Sequence, residues 1–337
     1  AIPLKAGMSI GAILISTAED FIRFESVIQN LSSRLSKSDI GCIVYDEMPD
    51  HPTTEDIDSA VYFIKKTKCD MVIGIGGLES MNAAKAISVL TDNFFFCEEL
   101  FNNPKIPSSL KLITIPAYPL FGMELIPMLY LADLQDRTRR TFSHPSLFPD
   151  ATIADPRITL DIGEEMTAIT SISTLSIATE SVISKKNNGL INTMALRAID
   201  LIFKNLPVAF RDPKNPAPRF HLAEASLMAG IAFSVSELSV SLAVGLALAT
   251  HSSLSVEKGM CMILPHIMEY NLTTSPGKYV QMSKVMDEDV RDITVIEAAI
   301  KAVEGVRKIE IEVEIPQRLS QFDIPKNDLT RIADLAM

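Results

Sequence analysis

The chain has 337 residues, 47% of them hydrophobic and 22% charged, which excludes a disordered chain and is enough for two domains with a large core. Its net charge of −11 disfavours nucleic acid and anionic membranes as partners. No two of its four cysteines form a Cys-x-x-Cys pair, so we expect reduced cytoplasmic thiols rather than a disulfide framework or a structural zinc site.

One stretch, Ala229–Thr250, is long and apolar enough to be considered as a membrane span. Glu237 and several serines interrupt it, and a charge within a span is costly, so we expect a buried pair of helices there. The first residues, Ala1–Gly7, contain no long apolar segment, and we expect no signal peptide. These features predict a cytoplasmic protein.

Short apolar runs alternate with helical periods through the first half of the chain. The predicted strands are Gly11–Ser16, Ile40–Tyr45, Met71–Ile75 and Leu110–Ile115, and the predicted helices are Phe21–Leu35, a segment capped by Thr54 that runs to about Lys66, and Ser80–Leu90. This alternation is typical of βαβ units and predicts a doubly wound parallel sheet. Ligands of such sheets bind at the carboxyl ends of the strands.

The pattern changes after Asp155-Pro156, where continuous strand-like runs largely end. The predicted helices of the second half are Glu164–Ser184, Leu190–Lys204, Leu222–Ala249, Lys258–Tyr270, Lys278–Met286 and Val295–Val306. We therefore expect two domains, residues 1–152 with the sheet and residues 153–337 built from helices alone.

A glycine turn follows the strand Met71–Ile75 and precedes the helix Ser80–Leu90. Strand, glycine turn and helix in this order can bind phosphate, because glycines let the backbone approach an anion and the helix presents free N–H groups. The same glycines also serve simply to pack a helix on a strand, and both interpretations stay open. Glu79 argues against a phosphate, since its charge would repel the anion unless the side chain turns away.

The segment Gly76–Lys85 resembles the diphosphate loop of the iron-containing alcohol dehydrogenase family, Gly-Gly-Gly-Ser-x-x-Asp-x-Ala-Lys. The first two glycines and Lys85 match, while Leu78, Glu79 and Asn82 replace the third glycine, the serine and the aspartate. The resemblance implies a Rossmann-like amino-terminal domain, an all-helical carboxy-terminal domain and a cleft between them, the dehydroquinate synthase-like fold. It also implies NAD(P)-dependent oxidation of alcohols or reduction of aldehydes.

The resemblance extends along nearly the whole chain. Further matching segments are Asp46–Thr53, Arg139–Thr159, Ala229–Ser234, Ile263–Asn271 and Ile315–Met337. In the second cofactor loop of the family, Ala117 and Tyr118 replace two threonines, and Thr17 replaces the acid that would bind the adenine ribose. Arg139 stands where a cofactor lysine is usual. If a cofactor binds, the resemblance assigns it to Gly76, Gly77, Leu78, Glu79, Asn82, Lys85 and Arg139, and we expect NAD or NADP to bind weakly or not at all.

Intact members of the family hold one iron or zinc ion with an aspartate and three histidines. The positions that correspond to these four ligands are Ser173, Ile177, Leu242 and Val256. Aliphatic side chains cannot coordinate a metal and neutral serine is a poor ligand, so we expect the metal to be absent. A rebuilt site that uses His251, His266 and Glu180 stays an alternative.

Two classes of function remain open from the sequence. The first is the NAD(P)-dependent oxidoreductase that the resemblance implies, acting on a small alcohol or aldehyde. The second is a catalytically silent binding or assembly subunit, as a homodimer or in a mixed oligomer with an active relative. A metal-free enzyme would have few obvious proton donors or acceptors, namely Tyr118, Lys85, Glu124 and Glu180.

Overall fold

A parallel sheet lies at the centre of the amino-terminal half. The structure, a computed structural model, describes residues 10–102, 105–133, 138–236 and 239–337. The elements of this half are β1 (Ile10–Thr17), α1 (Ala18–Arg23), α2 (Glu25–Lys37), β2 (Ile40–Met48), α3 (Thr54–Lys65), β3 (Met71–Gly76), α4 (Leu78–Thr91), α5 (Cys97–Leu100), β4 (Lys111–Pro116), β5 (Met128–Asp133), β6 (Thr138–Ser143) and β7 (Ala151–Thr152). The sheet has the order β2-β1-β3-β4-β7 with every neighbouring pair parallel, which confirms the predicted parallel sheet.

The central strands are apolar on both faces. Ile13, Leu14 and Ile15 follow one another along β1 and are all completely buried. A strand covered on one face only would alternate buried and exposed residues. The unbroken apolar run in the sequence therefore reflects helices packed on both faces of the sheet.

Two helix boundaries in this half differ from the prediction. The segment Phe21–Leu35 is not one helix, because α1 ends before Phe24, which is 2% exposed, and α2 follows it. Thr53, and not Thr54, is the N-cap of α3, where its side chain and that of Asp56 form a capping box. Thr54 is the first residue of the helix itself.

The antiparallel pair formed by β5 and β6 was not predicted. The sequence of β6, Thr-Arg-Arg-Thr-Phe-Ser, is mostly polar and half-buried, so it lacks the apolar run by which the other strands were found. The two-residue strand β7 and the four-residue helix α5 were also missed because they are too short to show a period.

Every regular element among the described residues from 159 onward is helical, as predicted. These helices are α6 (Glu164–Ile183), α7 (Gly189–Arg211), α8 (Pro216–Ser236), α9 (Val240–His251), α10 (Val256–Leu272), α11 (Pro276–Val285), α12 (Val295–Glu312) and α13 (Leu329–Ala336), with short 3-10 turns at Leu319–Phe322 and Lys326–Asp328. The segment Leu222–Ala249 is not a single helix but contains parts of two, in agreement with the pair of helices expected over Ala229–Thr250. Ser239 caps a new helix by accepting the N–H of Leu242 at 3.1 Å, so α8 and α9 are separate.

The chain divides into two compact units. The sheet unit comprises the residues up to Tyr118 together with Met123–Ile158, and the helical unit comprises Pro119–Gly122 and Thr159–Met337. The chain stays with the sheet beyond residue 152 because β7 pairs with β4 and because the N–H of Ile153 donates to the carbonyl of Thr114 at 2.9 Å.

Within the part of the chain that the structure describes, one helix, α6, is long and apolar enough to cross a membrane, and α8 with α9 meets the same criterion only as a pair bent by 99°. Of the apolar window of α6, 89% is buried inside the structure. It is therefore a core helix of the helical unit. The stretch Ala229–Thr250, considered above as a span, comprises the end of α8 and most of α9. Glu237 and Ala1–Gly7, on which expectations were also based, lie outside the described residues.

Candidate functional site

The predicted strand, glycine turn and helix are all present. β3 ends at Gly76, and Gly77 is the N-cap residue of α4. Gly76 has a φ of +135°, in a region that favours glycine over other residues. It pairs with Pro116 of β4, so the turn lies at the carboxyl edge of the sheet, where ligands of such folds bind.

The first helical turn of α4 is in contact with a carboxylate of the same chain. The backbone N–H of Gly77 donates to Oδ2 of Asp20 at 2.6 Å, and the hydroxyl of Ser80 donates to the same oxygen at 2.7 Å. Asp20 is 7% exposed. Burial raises its pKa, against the lowering effect of the hydrogen bonds from Gly77, Ser80 and Thr17. No motif in the sequence indicated this residue, although an acidic side chain just after β1 was a usable signal.

Tyr118 covers the second glycine of the turn. A Cβ built on Gly77 would lie 1.8 Å from the phenol oxygen of Tyr118, so any larger residue here would require the Tyr118 side chain to move. From the sequence, Tyr118 was expected only to remove a threonine contact. In the structure the larger side chain also takes up space at the turn.

Glu79 and Arg139, both expected near a cofactor, bind one another. Nη1 of Arg139 lies 2.8 Å from Oε1 of Glu79, and the two side chains are 13% and 19% exposed. The guanidinium also lies 5.8 Å from the ring centre of Tyr130. The charge of Glu79 is therefore matched by Arg139 within the sheet unit, and neither charge needs a ligand to balance it.

Lys85 is completely buried and holds a neighbouring segment of the sheet unit. Its ammonium donates to the backbone carbonyls of Met123, of Ile126 at 2.8 Å and of Met128 at 2.8 Å. Burial lowers its pKa to about 7, while the charge of Glu124 acts in the opposite direction. Three donors meet three carbonyls, so Lys85 stabilises this segment and does not point toward solvent.

Leu78 and Asn82 also face inward from α4. Leu78 is 3% exposed and Asn82 is completely buried. The side-chain oxygen of Asn82 accepts the backbone N–H of Tyr130 at 3.3 Å. The structure thus brings the residues expected to bind a cofactor to one helix and its surroundings, where they make contacts within the sheet unit.

The four positions assigned to metal ligands lie in the helical unit and are all buried. Ser173 and Ile177 on α6 are 0% exposed, Leu242 on α9 is 5% exposed and Val256 on α10 is 2% exposed. The hydroxyl of Ser173 donates to the carbonyl of Thr170 at 3.0 Å. Three hydrocarbon side chains and one hydrogen-bonded hydroxyl do not fit a divalent metal ion, which needs several oxygen, nitrogen or sulfur ligands.

Glu180, also on α6, caps another helix. Its carboxylate accepts the backbone N–H groups of Val240 at 2.5 Å and Ser241 at 3.1 Å, at the start of α9. The hydroxyls of Ser239, at 2.9 Å, and of Ser241 donate to it as well. Burial raises the pKa of Glu180, and these hydrogen bonds lower it. A carboxylate is favourable at the positive end of a helix dipole, so this capping role accounts for a buried Glu180 without any catalytic role.

The alternative site built from His251, His266 and Glu180 is not assembled. Nε2 of His251 lies 2.9 Å from a carboxylate oxygen of Asp328, and Nδ1 of His266 lies 3.8 Å from a carboxylate oxygen of Glu269. Across residues 10–102, 105–133, 138–236 and 239–337, no three His, Cys, Asp or Glu side chains are grouped so that they could hold a metal. The four cysteines are all free thiols.

The fold and the glycine turn define a protein with a Rossmann-like sheet unit and a helical unit. The family described as "Iron-containing alcohol dehydrogenase" matches residues 5–156, and "Fe-containing alcohol dehydrogenase family, C-terminal" matches residues 167–337. The chain therefore belongs to the iron-containing alcohol dehydrogenase family, as the resemblance indicated. The activity of this family is the interconversion of alcohols and aldehydes with NAD(P) and iron.

Several relatives agree with this assignment. The 1,3-propanediol dehydrogenase of Klebsiella pneumoniae is 24% identical over 308 residues, covering 90% of this chain and 79% of that protein. The alcohol dehydrogenase from Oenococcus oeni matches with a TM-score of 0.92 and 21% identity over 97% of this chain and 86% of that chain. The sulfoacetaldehyde reductase of Bifidobacterium kashiwanohense, solved with NAD+, gives a TM-score of 0.85 and 20% identity over 98% and 85%. The two structural matches show the fold.

Proposed function

We propose that this chain no longer performs the metal-dependent reaction of its family and acts as a catalytically silent binding or assembly subunit. The observation that carries the proposal is the burial of the side chains at the four ligand positions, Ser173, Ile177, Leu242 and Val256. Hydrocarbon in place of polar ligands adds apolar burial, at about 25 cal/mol per Å² of surface removed from water. This exchange stabilises the helical unit and removes the groups that would hold iron or zinc.

The cofactor positions support the same proposal. Glu79 and Arg139 form an ion pair, and Lys85 donates to backbone carbonyls. Each group already has its partner within the chain, so a nucleotide would have to break these contacts before making its own. We therefore propose that NAD and NADP bind weakly or not at all.

The sheet unit carries a surface suited to a protein partner. Tyr62, Phe94 and Phe96 are among its exposed aromatic side chains. Asp58 and Lys65, on the same face of α3 as Tyr62, bind the backbone of the segment 93–97 that carries the other two aromatics. Exposed aromatic residues grouped in this way are typical of protein interfaces. We propose that the partner is a second copy of this chain or an active relative, in the cytoplasm.

A metal-free oxidoreductase is the second candidate, and the strand, turn and helix retained around Gly76 and Gly77 favour it. Of its possible proton donors and acceptors, Lys85 and Glu180 serve as structural groups. Tyr118 and Glu124 are therefore the side chains whose substitution would test this candidate.

The deciding experiment is elemental analysis of the purified, dialysed protein together with turnover of short alcohols and aldehydes. We expect far less than one iron or zinc per chain and no turnover with NAD or NADP, with or without added metal. An iron-loaded family member carried through the same dialysis is the control. Near-equimolar metal would overturn the proposal, and metal-free turnover would establish the second candidate.

Light scattering during size-exclusion chromatography tests the assembly part of the proposal. We expect a mass of two or more chains, or a complex when an active relative is added. A monomer that recovers no partner in a pull-down would count against this role.

A further inference from the structure

Two donors, one in the glycine turn and one in the first turn of α4, are already bound to a carboxylate of the chain. In a phosphate-binding turn the first backbone N–H groups of the helix donate to the anion. Here the N–H of Gly77 donates to Oδ2 of Asp20 at 2.6 Å, and the hydroxyl of Ser80 donates to that same oxygen at 2.7 Å. One carboxylate oxygen thus accepts a hydrogen bond from a backbone donor and one from a side-chain donor, as a phosphate oxygen would.

The open faces of both glycines are also covered. A Cβ built on Gly76 would lie 2.3 Å from Oδ2 of Asp20, and one built on Gly77 would lie 1.8 Å from the phenol oxygen of Tyr118. A phosphate oxygen that accepts the N–H of Gly77 must come within about 3 Å of it. The carboxylate of Asp20 already lies there, so both cannot be accommodated.

Asp20 is held at the turn by the fold. The backbone N–H of Thr17 donates to the hydroxyl of Ser80 at 2.9 Å, which ties the end of β1 to α4. The side chain of Thr17 in turn accepts the N–H of Asp20 at 3.4 Å. β1 and β3 are adjacent parallel strands, so the end of one lies beside the glycine turn of the other.

We infer that Asp20 acts as an internal anion in the glycine turn and, with Tyr118 as its cover, closes the turn to dinucleotide diphosphates. This inference rests on the proposed function and names the residues responsible for it. Glu79, the acidic residue that the sequence predicted would repel a phosphate, is not the group that excludes the diphosphate. Its charge is matched by Arg139 at 2.8 Å. Glu79 is held in an ion pair with Arg139, whereas Asp20 binds the donors of the turn.

The test measures binding of inorganic pyrophosphate and of ADP by calorimetry, because both need the turn but not the rest of a nicotinamide site. The variants are Asp20→Ala, Tyr118→Ala and the two together, with Glu79→Ser as the matched control. We expect no binding to the wild-type chain at millimolar ligand, and at least tenfold tighter pyrophosphate binding by the double variant than by wild type. Glu79→Ser is expected to behave like the wild-type chain.

Thermal melts followed by circular dichroism establish that each variant is folded. If Asp20→Ala is not folded, Asp20→Asn, which keeps the volume and removes the charge, takes its place in the double variant. A folded double variant that binds neither ligand, or a gain of binding in Glu79→Ser alone, would overturn the inference. Micromolar binding of NAD+ to the wild-type chain would overturn the proposed function as well, so the two failures are distinguishable.

Discussion

Replacing Glu180 with alanine should destabilise the helical unit, because this carboxylate caps α9 from the neighbouring helix α6. The substitution leaves the backbone N–H groups of Val240 and Ser241 without their acceptor. It also removes the acceptor for the hydroxyls of Ser239 and Ser241. The residue is 6% exposed, so water is poorly placed to replace the carboxylate.

The size of the effect follows from these bonds. Hydrogen bonds to a charged group contribute about 1.5–3 kcal/mol each, and the energetic cost of burying a carboxylate offsets part of their sum. We expect a loss of about 3 kcal/mol in the free energy of unfolding, which corresponds to a melting temperature lower by about 6–12 °C for a unit of this size. Glu180→Gln keeps one acceptor oxygen, and we expect roughly half of that loss.

The measurement is urea unfolding followed by circular dichroism, supported by thermal melts. Glu165→Ala is the control, because Glu165 lies on the same helix with 76% of its side chain exposed, and we expect its effect to stay within about 0.5 kcal/mol. If Glu180→Ala were no more destabilising than this control, the capping role would be wrong. Glu180 would then need a chemical explanation.

Two further predictions concern other buried ionisable groups. Lys85→Met should lower the free energy of unfolding by about 2 kcal/mol, measured by urea unfolding, because the carbonyls of Ile126 and Met128 lose their donor; an unchanged value would contradict the holding role. Burial raises the pKa of Glu310 to about 8. Between about pH 5 and pH 8 the folded chain therefore keeps a proton on this carboxyl that the unfolded chain releases. The contribution of Glu310 to the free energy of unfolding falls as the pH rises through this range. Glu310→Gln should therefore gain stability relative to wild type by about 1.4 kcal/mol per pH unit over that range, and parallel pH profiles of the two proteins would contradict the assignment.

The glycine turn shows how sequence and structure contribute differently to one site. The apolar run Met71–Ile75 and the glycines after it were enough to predict the strand, the turn and the helix, since each depends on neighbours in the sequence. That Asp20 lies on this turn depends on the pairing of β1 with β3. The two segments are more than fifty residues apart in the chain, so no local pattern could predict their contact.

The polar partners of the buried charged side chains could not be predicted from the sequence either. Glu79 was expected to repel an anion, and its side chain instead binds Arg139, sixty residues later. Lys85 matched a family motif, but its three carbonyl acceptors come from the irregular segment before β5, at Met123 and Ile126, and from Met128, the first residue of that strand. A side chain's charge can be read from its residue type, whereas its partner is set by which backbone segments pack together.

The sequence by itself determined the fold class, because continuous apolar runs mark buried strands and helical periods mark the buried face of each helix. It also determined the family, and it placed aliphatic residues at Ile177, Leu242 and Val256. Only the tertiary structure decided what the remaining polar groups do: Glu180 caps a helix, Lys85 holds carbonyls and Asp20 occupies the glycine turn. Burial is a property of single residues and is visible in a pattern. Hydrogen bonding between distant segments is a property of pairs, and it exists only once the chain has folded.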